Sequence, residues 1–198
     1  MKNKVLMGLA AIAMVAVLAS CGKKPQAEID ATNAAIAAAQ TAEANVYIPA
    51  EFTALQDSMK AIDAAVAAQD GKLFKKYGPI KENLASTLAL ANQVAANAAT
   101  KKEEVKKEAQ GLLESIKTVI AENGKLIPKL PRGKEGAAVI AQIKADMGTV
   151  DAQVVEAQGL FDKGSFMDAL NKIKAANEKS GSLNAEIKEA LTKARIRF

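Results

Sequence analysis

With 198 residues the chain has room for one domain or two small ones, and seven aromatic side chains (five Phe, two Tyr, no Trp) leave little bulk for a wide core. The absence of His excludes the usual general base, the common metal ligand and every Ser-His-Asp arrangement, and a lone Cys excludes an internal disulfide. A formal charge of +5, from 27 basic and 22 acidic residues evenly mixed, is too mild to argue for nucleic acid.

The elements begin with an address. Lys2 and Lys4 precede an apolar run from Val5 to Val17, and Leu18-Ala19-Ser20-Cys21 follows. The run is too short and wrongly flanked for a spanning helix. An ordinary secretory signal would also end in small residues here. The four residues 18–21 resemble the lipobox of bacterial lipoproteins. That resemblance implies removal of residues 1–20, with Leu18, Ala19 and Ser20 forming the signal for cleavage before Cys21, and acylation of Cys21 as the first mature residue. Residues 21–26 then form the acylated tether, and loss of Lys2 and Lys4 lowers the formal charge from +5 to +3. Two acyl chains suffice for stable anchoring, since each buried methylene contributes about 0.8 kcal/mol. Acylation also consumes the only thiol. Gly22 stands where enteric lipoproteins kept in the inner membrane carry Asp. The expected location is therefore the cell envelope, at the outer membrane facing the periplasm if the organism has two membranes.

Helical periodicity runs from about Ala27 to Val46, carried by Ile29, Ile36 and Val46 among alanines, and Pro49 ends it or opens the next helix. Phe52, Leu55, Met59, Ile62, Val66 and Gln69 follow at alternating spacings of three and four, a heptad stripe. Asp70-Gly71 stops it, with Gly71 suited to a left-handed cap. A third helix starts between Leu73 and Pro79, carries Leu84, Leu88, Ala91 and Ala95, and can continue through the polar run after Thr100. Apolar spacing resumes at Val105, Ala109, Leu112, Ile116 and Val119 and is expected to stop at Asn123-Gly124. Residues 124–136 hold Pro128 and Pro131 and read as a loop. Ile140, Ile143, Met147, Val150, Val154, Ala157 and Phe161 then form the most regular stripe, which Lys163-Gly164-Ser165 ends. A last helix spans about Phe166 to Ala194 on Ile173, Ala176, Leu183 and Ile187, with Gly181 a weak point. No stretch alternates with period two, so the expected class is all-α: an antiparallel bundle or short solenoid of long Ala-rich helices.

AEANVYIP at 42–49 returns as AENGKLIP at 121–128. Each half thus reads helix, Ile-Pro break, helix, Gly break, helix, which predicts two related units over residues 27–99 and 100–198. Residues 42–52, from Ala42 through Tyr47-Ile48-Pro49 to Phe52, with the Ala-rich helix after them and Gly71, resemble an uncharacterised family (a domain of unknown function) of Ala-rich helical envelope lipoproteins. The resemblance covers about residues 27–99 and implies a periplasm-facing helical domain, with no activity known for the family. The second half departs from it, with Leu126-Ile127-Pro128 in place of Tyr47-Ile48-Pro49. Gly164-Ser165-Phe166-Met167-Asp168-Ala169 is nearer a tetratricopeptide-type turn, too short to establish that family.

Chemistry-bearing constellations are few. Ser58, Ser86 and Ser115 lie on helices without a nucleophile elbow. Asp146, Asp151 and Glu156 have no EF-hand spacing and read as a solvated face, so neither a metal site nor a cofactor is expected. Lys101-Lys102-Glu103-Glu104-Val105-Lys106-Lys107-Glu108 reads as a solvated helix held by local ion pairs. Phe74, Lys75, Lys76 and Tyr77 form the densest basic-aromatic cluster. The two rings would pack at a helical corner, or the four residues would contact a partner or an anionic surface. The expectation is a non-enzymatic, lipid-anchored scaffold or interaction module whose partners are the membrane, envelope proteins or a second copy of the chain. The alternative is a carrier of lipid or another apolar ligand between Ala-rich helices.

Overall fold

The computed structural model describes residues 23–198, so Leu18, Ala19, Ser20 and Cys21 lie outside the described residues. The described chain is all-α, a helical bundle without strands. Its helices are α1 (Gln26–Thr41), α2 (Ala44–Tyr47), α3 (Pro49–Asp70), α4 (Gly78–Leu126), α5 (Lys134–Asp162) and α6 (Phe166–Lys193), with a 3-10 turn at Ile127–Lys129.

Packing divides the described residues into two compact units, 23–37 with 54–92 and 38–53 with 93–198. The division does not follow the sequence halves: residues 38–53 belong with the second unit, and α4 runs unbroken through position 100.

In the first unit, Ile29 from α1, Met59, Ile62 and Val66 from α3, and Tyr77, Ile80 and Leu84 at the start of α4 form the core. Thr32 is fully buried; its hydroxyl donates to the Glu28 carbonyl at 2.8 Å and lies 3.5 Å from that of Leu84. Glu28 pairs with Lys81 at 3.3 Å. Both links between α1 and α4 advance in the same direction, so these helices run parallel, with α3 antiparallel between them in sequence.

The second unit repeats that connectivity with α4, α5 and α6. Glu108 pairs with Lys174 and Glu122 with Lys188, at 2.6 and 2.8 Å. Each partner lies fourteen residues beyond its predecessor, two heptads on both helices, so α4 and α6 are parallel and in register. Glu156–Lys172 and Asp146–Lys179, at 2.6 and 3.2 Å, run in opposite directions and make α5 antiparallel to α6. Ile143, Met147, Val150 and Ala157 face Leu170, Ile173, Ala176, Leu183 and Ile187 in one core with Val105, Ala109, Leu113 and Ile116. Fully buried alanines (Ala109, Ala157, Ala176) allow the close approach that the composition demands. At the α5–α6 turn Gly164 takes φ +83°, the amide of Ser165 donates to the Leu160 carbonyl and that of Gly164 to the Phe161 carbonyl, a Schellman cap.

Four expectations are corrected. The helix of 27–46 is broken after Thr41, where Glu43 adopts φ 60° and ψ 34°; this turns Tyr47 into the core and leaves Val46 at the surface. Helix α4 does not stop at Asn123-Gly124 but continues to Leu126, because Asn123 is buried and bonded to α6. Gly71 ends α3 without a left-handed conformation. The stripe at the start of α4 is Leu84, Thr87, Ala91, Val94 and Ala98, which leaves Leu88 and Ala95 only half-buried. Thr87 conceals that register in the sequence, since a polar residue occupies a core position.

Candidate functional site

The cluster at residues 74–77 lies in the connection between α3 and α4, and its members separate. Tyr77 is 1% exposed and belongs to the core of the first unit. Phe74 is 82% exposed and its neighbour Leu73 is 91% exposed. The expectation that both rings pack is therefore corrected for Phe74. Lys76 is exposed and Lys75 half-buried.

Residues at the end of α3 hold this corner. The side-chain carbonyl of Gln69 accepts the Lys76 amide at 3.2 Å, and its backbone carbonyl accepts the Lys72 amide at 3.0 Å. Asp70 accepts the phenolic proton of Tyr77 on one carboxylate oxygen, and the other lies 3.6 Å from the ammonium of Lys24. The Tyr77 hydrogen bond, helped by Lys24 and Lys75, holds the Asp70 carboxyl below its ordinary range; the same bond and burial push the Tyr77 phenol up. Asp70 thus joins the chain just before α1 to the corner between α3 and α4. The clasped backbone leaves Leu73 and Phe74 at the tip with Lys72, Lys75 and Lys76 beside them in sequence. Sequence reasoning missed Leu73, Lys72, Asp70 and Lys24. Leu73 had a signal: it is a large apolar residue outside any stripe, between Gly71 and Gly78-Pro79.

A second constellation lies in the second unit. Lys102 pairs with the Glu43 carboxylate, and its ammonium is 5.9 Å from the Tyr47 ring centroid and 6.0 Å from that of Phe166. Lys106 stands 5.4 Å over Phe166, which also meets Phe161 at 5.1 Å with the rings tilted by 58°. The bond to Glu43 pushes the Lys102 ammonium up, and burial followed by the Glu43 charge pushes the Tyr47 phenol up. Cations at this range of an aromatic face contribute about 0.5–1 kcal/mol at exposed sites. Of the polar run 101–108, Lys101–Glu104 at 3.0 Å is a local pair, whereas Lys102 and Glu108 join other segments.

A third feature is a polar layer inside the second core. The Asn123 amide donates to the Ser180 carbonyl at 3.1 Å and approaches Met147 Sδ at 3.5 Å, while Asn184 donates to the Asn123 side-chain carbonyl at 2.7 Å. Asp151 and Glu156 are exposed, as expected of a solvated face, and Asp146 is half-buried; Glu156 and Asp146 also pair with lysines of α6. Ser58 and Ser86 donate to the carbonyls one turn earlier, at 2.8 and 3.0 Å.

Among the described residues no group of His, Cys, Asp or Glu is placed to hold a metal ion, and no helix is long and apolar enough to cross a membrane. Comparison with protein-family models, with curated proteins and with solved structures yields no match for this chain.

Proposed function

We propose that the protein is a lipid-anchored, non-enzymatic scaffold or interaction module of a bacterial cell envelope, held on its membrane through acylated Cys21. One observation carries the scaffold reading: four lysines of α6 join it to its two neighbouring helices. Lys172 and Lys179 reach α5, and Lys174 and Lys188 reach α4, at matched registers. A charge ladder of this kind fixes helix order and register. The buried Asn123 layer acts in the same direction, because a slipped register would leave its amide unpaired in the core.

The stripe of α5 that would have invited a second copy is instead occupied within the chain. Ile143, Met147, Val150 and Ala157 are buried, and Ile140, Val154 and Phe161 pack against the same core. Partner contacts therefore fall to surfaces outside the stripe.

The test is in-cell crosslinking of the acylated protein from photoreactive residues placed along α5 and α6, with mass spectrometry of what is captured. Recurrent capture of one envelope protein, or of the chain itself, is the expected result. Capture of lipid alone from positions inside the bundle would replace the scaffold with a carrier of apolar ligands.

A further inference from the structure

The corner between α3 and α4 has the composition of a membrane-surface contact and not of a protein core. Leu73 and Phe74 are 91% and 82% exposed, so nearly all their apolar area faces water. Exposing two adjacent large apolar side chains forgoes the burial that would otherwise favour packing them inward. The backbone there is held by Gln69 at both ends of the turn, which fixes the pair at the tip. Lys72, Lys75 and Lys76 flank the pair. Apolar side chains flanked in sequence by lysines match the boundary of a bilayer with anionic headgroups, where the chains enter about 5–10 Å and the ammonium groups stay at the phosphates.

The path of the chain says which bilayer. Lys24 is 3.6 Å from Asp70, the residue that closes α3 next to this turn. Asp70 is itself held by Tyr77 at the far end of the turn. Lys24 lies three residues after Cys21, and three extended residues span about 11 Å at most. An acyl group on Cys21 therefore leaves the fold at the same corner that presents Leu73 and Phe74. A lipid anchor and an apolar tip so close together meet the same leaflet.

We propose that residues 71–76 are a second membrane contact, a foot whose Leu73 and Phe74 side chains enter the leaflet carrying acylated Cys21 while Lys72, Lys75 and Lys76 meet anionic lipid headgroups. The foot rests on the lipid-anchor reading. It adds a second point of attachment to the acyl anchor, which sets the orientation of the first unit on the membrane.

The experiment uses the acylated full chain in vesicles of phosphatidylethanolamine with phosphatidylglycerol. Acylation blocks Cys21, so Leu73→Cys or Phe74→Cys provides a single site for an environment-sensitive fluorophore. Asp57→Cys, on the exposed side of α3 in the same unit, is the reference. Quenching by lipids spin-labelled near the headgroup boundary is expected to be about threefold or more stronger at positions 73 and 74 than at 57, with emission shifted to the blue. Replacing Lys72, Lys75 and Lys76 with Gln is expected to weaken that quenching in the anionic vesicles, by up to about fivefold per lysine, and not in phosphatidylcholine. Equal quenching at 57, 73 and 74 in a chain whose intact mass shows the acyl groups overturns the foot and leaves the anchor standing. An intact mass without acyl groups on Cys21 overturns the anchor, and the foot with it.

Discussion

The octapeptides at 42–49 and 121–128 place their side chains alike and their backbones differently. Glu43 and Glu122 each pair with a lysine of another helix, Lys102 and Lys188. Ala44 and Asn123, at the third position, are both fully buried. Tyr47 and Leu126 enter the same hydrophobic core. Yet Glu43 sits in the left-handed region where the chain breaks between α1 and α2, while Glu122 lies within continuous helix. The third position accounts for the contrast. Asn123 is bonded to Ser180 and Asn184 of α6, which hold that turn of α4 in helical geometry; Ala44 has no polar group to be held.

The largest expected effect tests what the copies share. Tyr47→Ala and Leu126→Ala should each destabilise the protein by about 3 kcal/mol, seen as a lower urea midpoint at unchanged slope. A loss below about 1 kcal/mol at either position would break the parallel. Next comes the residue that separates the copies. Asn123→Ala makes the second copy resemble the first and removes the bonds to Ser180 and from Asn184, at a cost of about 2 kcal/mol. An unchanged urea midpoint would refute the role given to that layer.

One substitution should act unequally at the paired glutamates. Glu122→Gly inserts glycine into continuous helix and should lower the melting temperature by about 3 °C, beyond the loss of the Lys188 pair. Glu43→Gly also loses an ion pair but relieves a left-handed non-glycine residue, so its melting temperature should stay within about 1 °C of the parent. Equal losses would mean that the two backbones do not differ as described. Gly124→Ala gives a smaller, positive effect. Gly124 is exposed, helical, and has open space where a Cβ would stand. Alanine should stabilise the protein by about 0.7 kcal/mol, read in the same urea titration. A destabilisation would restore the helix stop that Asn123-Gly124 suggests in the sequence.

One member of each ion pair should also report the pair through its displaced titration. The Glu122 carboxyl is lowered first by its bond to Lys188, so its contribution is present above the unfolded carboxyl pKa of about 4.3 and disappears as pH falls through the lower folded value. The Lys102 ammonium is raised first by its bond to Glu43, so its contribution is complete below about pH 10.4 and disappears as pH rises through the higher folded value. Side-chain NMR titrations of Glu122 and Lys102 check both signs. A Glu122 midpoint at or above 4.3 would contradict the first, and a Lys102 midpoint at or below 10.4 the second.

Much of the fold was legible because its signals are local. The stripe Phe52, Leu55, Met59, Ile62 and Val66 is buried throughout, and Gly164 ends α5 in the left-handed conformation that glycine adopts most readily. The misplaced end of α4 has a tertiary cause. Asn123 and Gly124 are poor helix signals, and contacts from α6 override them. At the corner, Phe74, Lys75, Lys76 and Tyr77 stood out by composition, but composition does not say which ring turns inward. Tyr77 turns inward, where its hydroxyl finds Asp70 seven residues earlier across the turn, and Phe74 stays exposed at the tip.

Helix class and most of the apolar stripes were written in the amino-acid order alone, since they depend on periodicity and on residues next to one another. The break at Glu43, the persistence of α4 to Leu126, the membership of residues 38–53 in the second unit and the Lys24–Asp70–Tyr77 link were decided only by tertiary structure. Each depends on a partner tens of residues away or on a side chain turning across a loop, and such contacts outweigh a propensity of a few tenths of a kcal/mol to about 1 kcal/mol per residue.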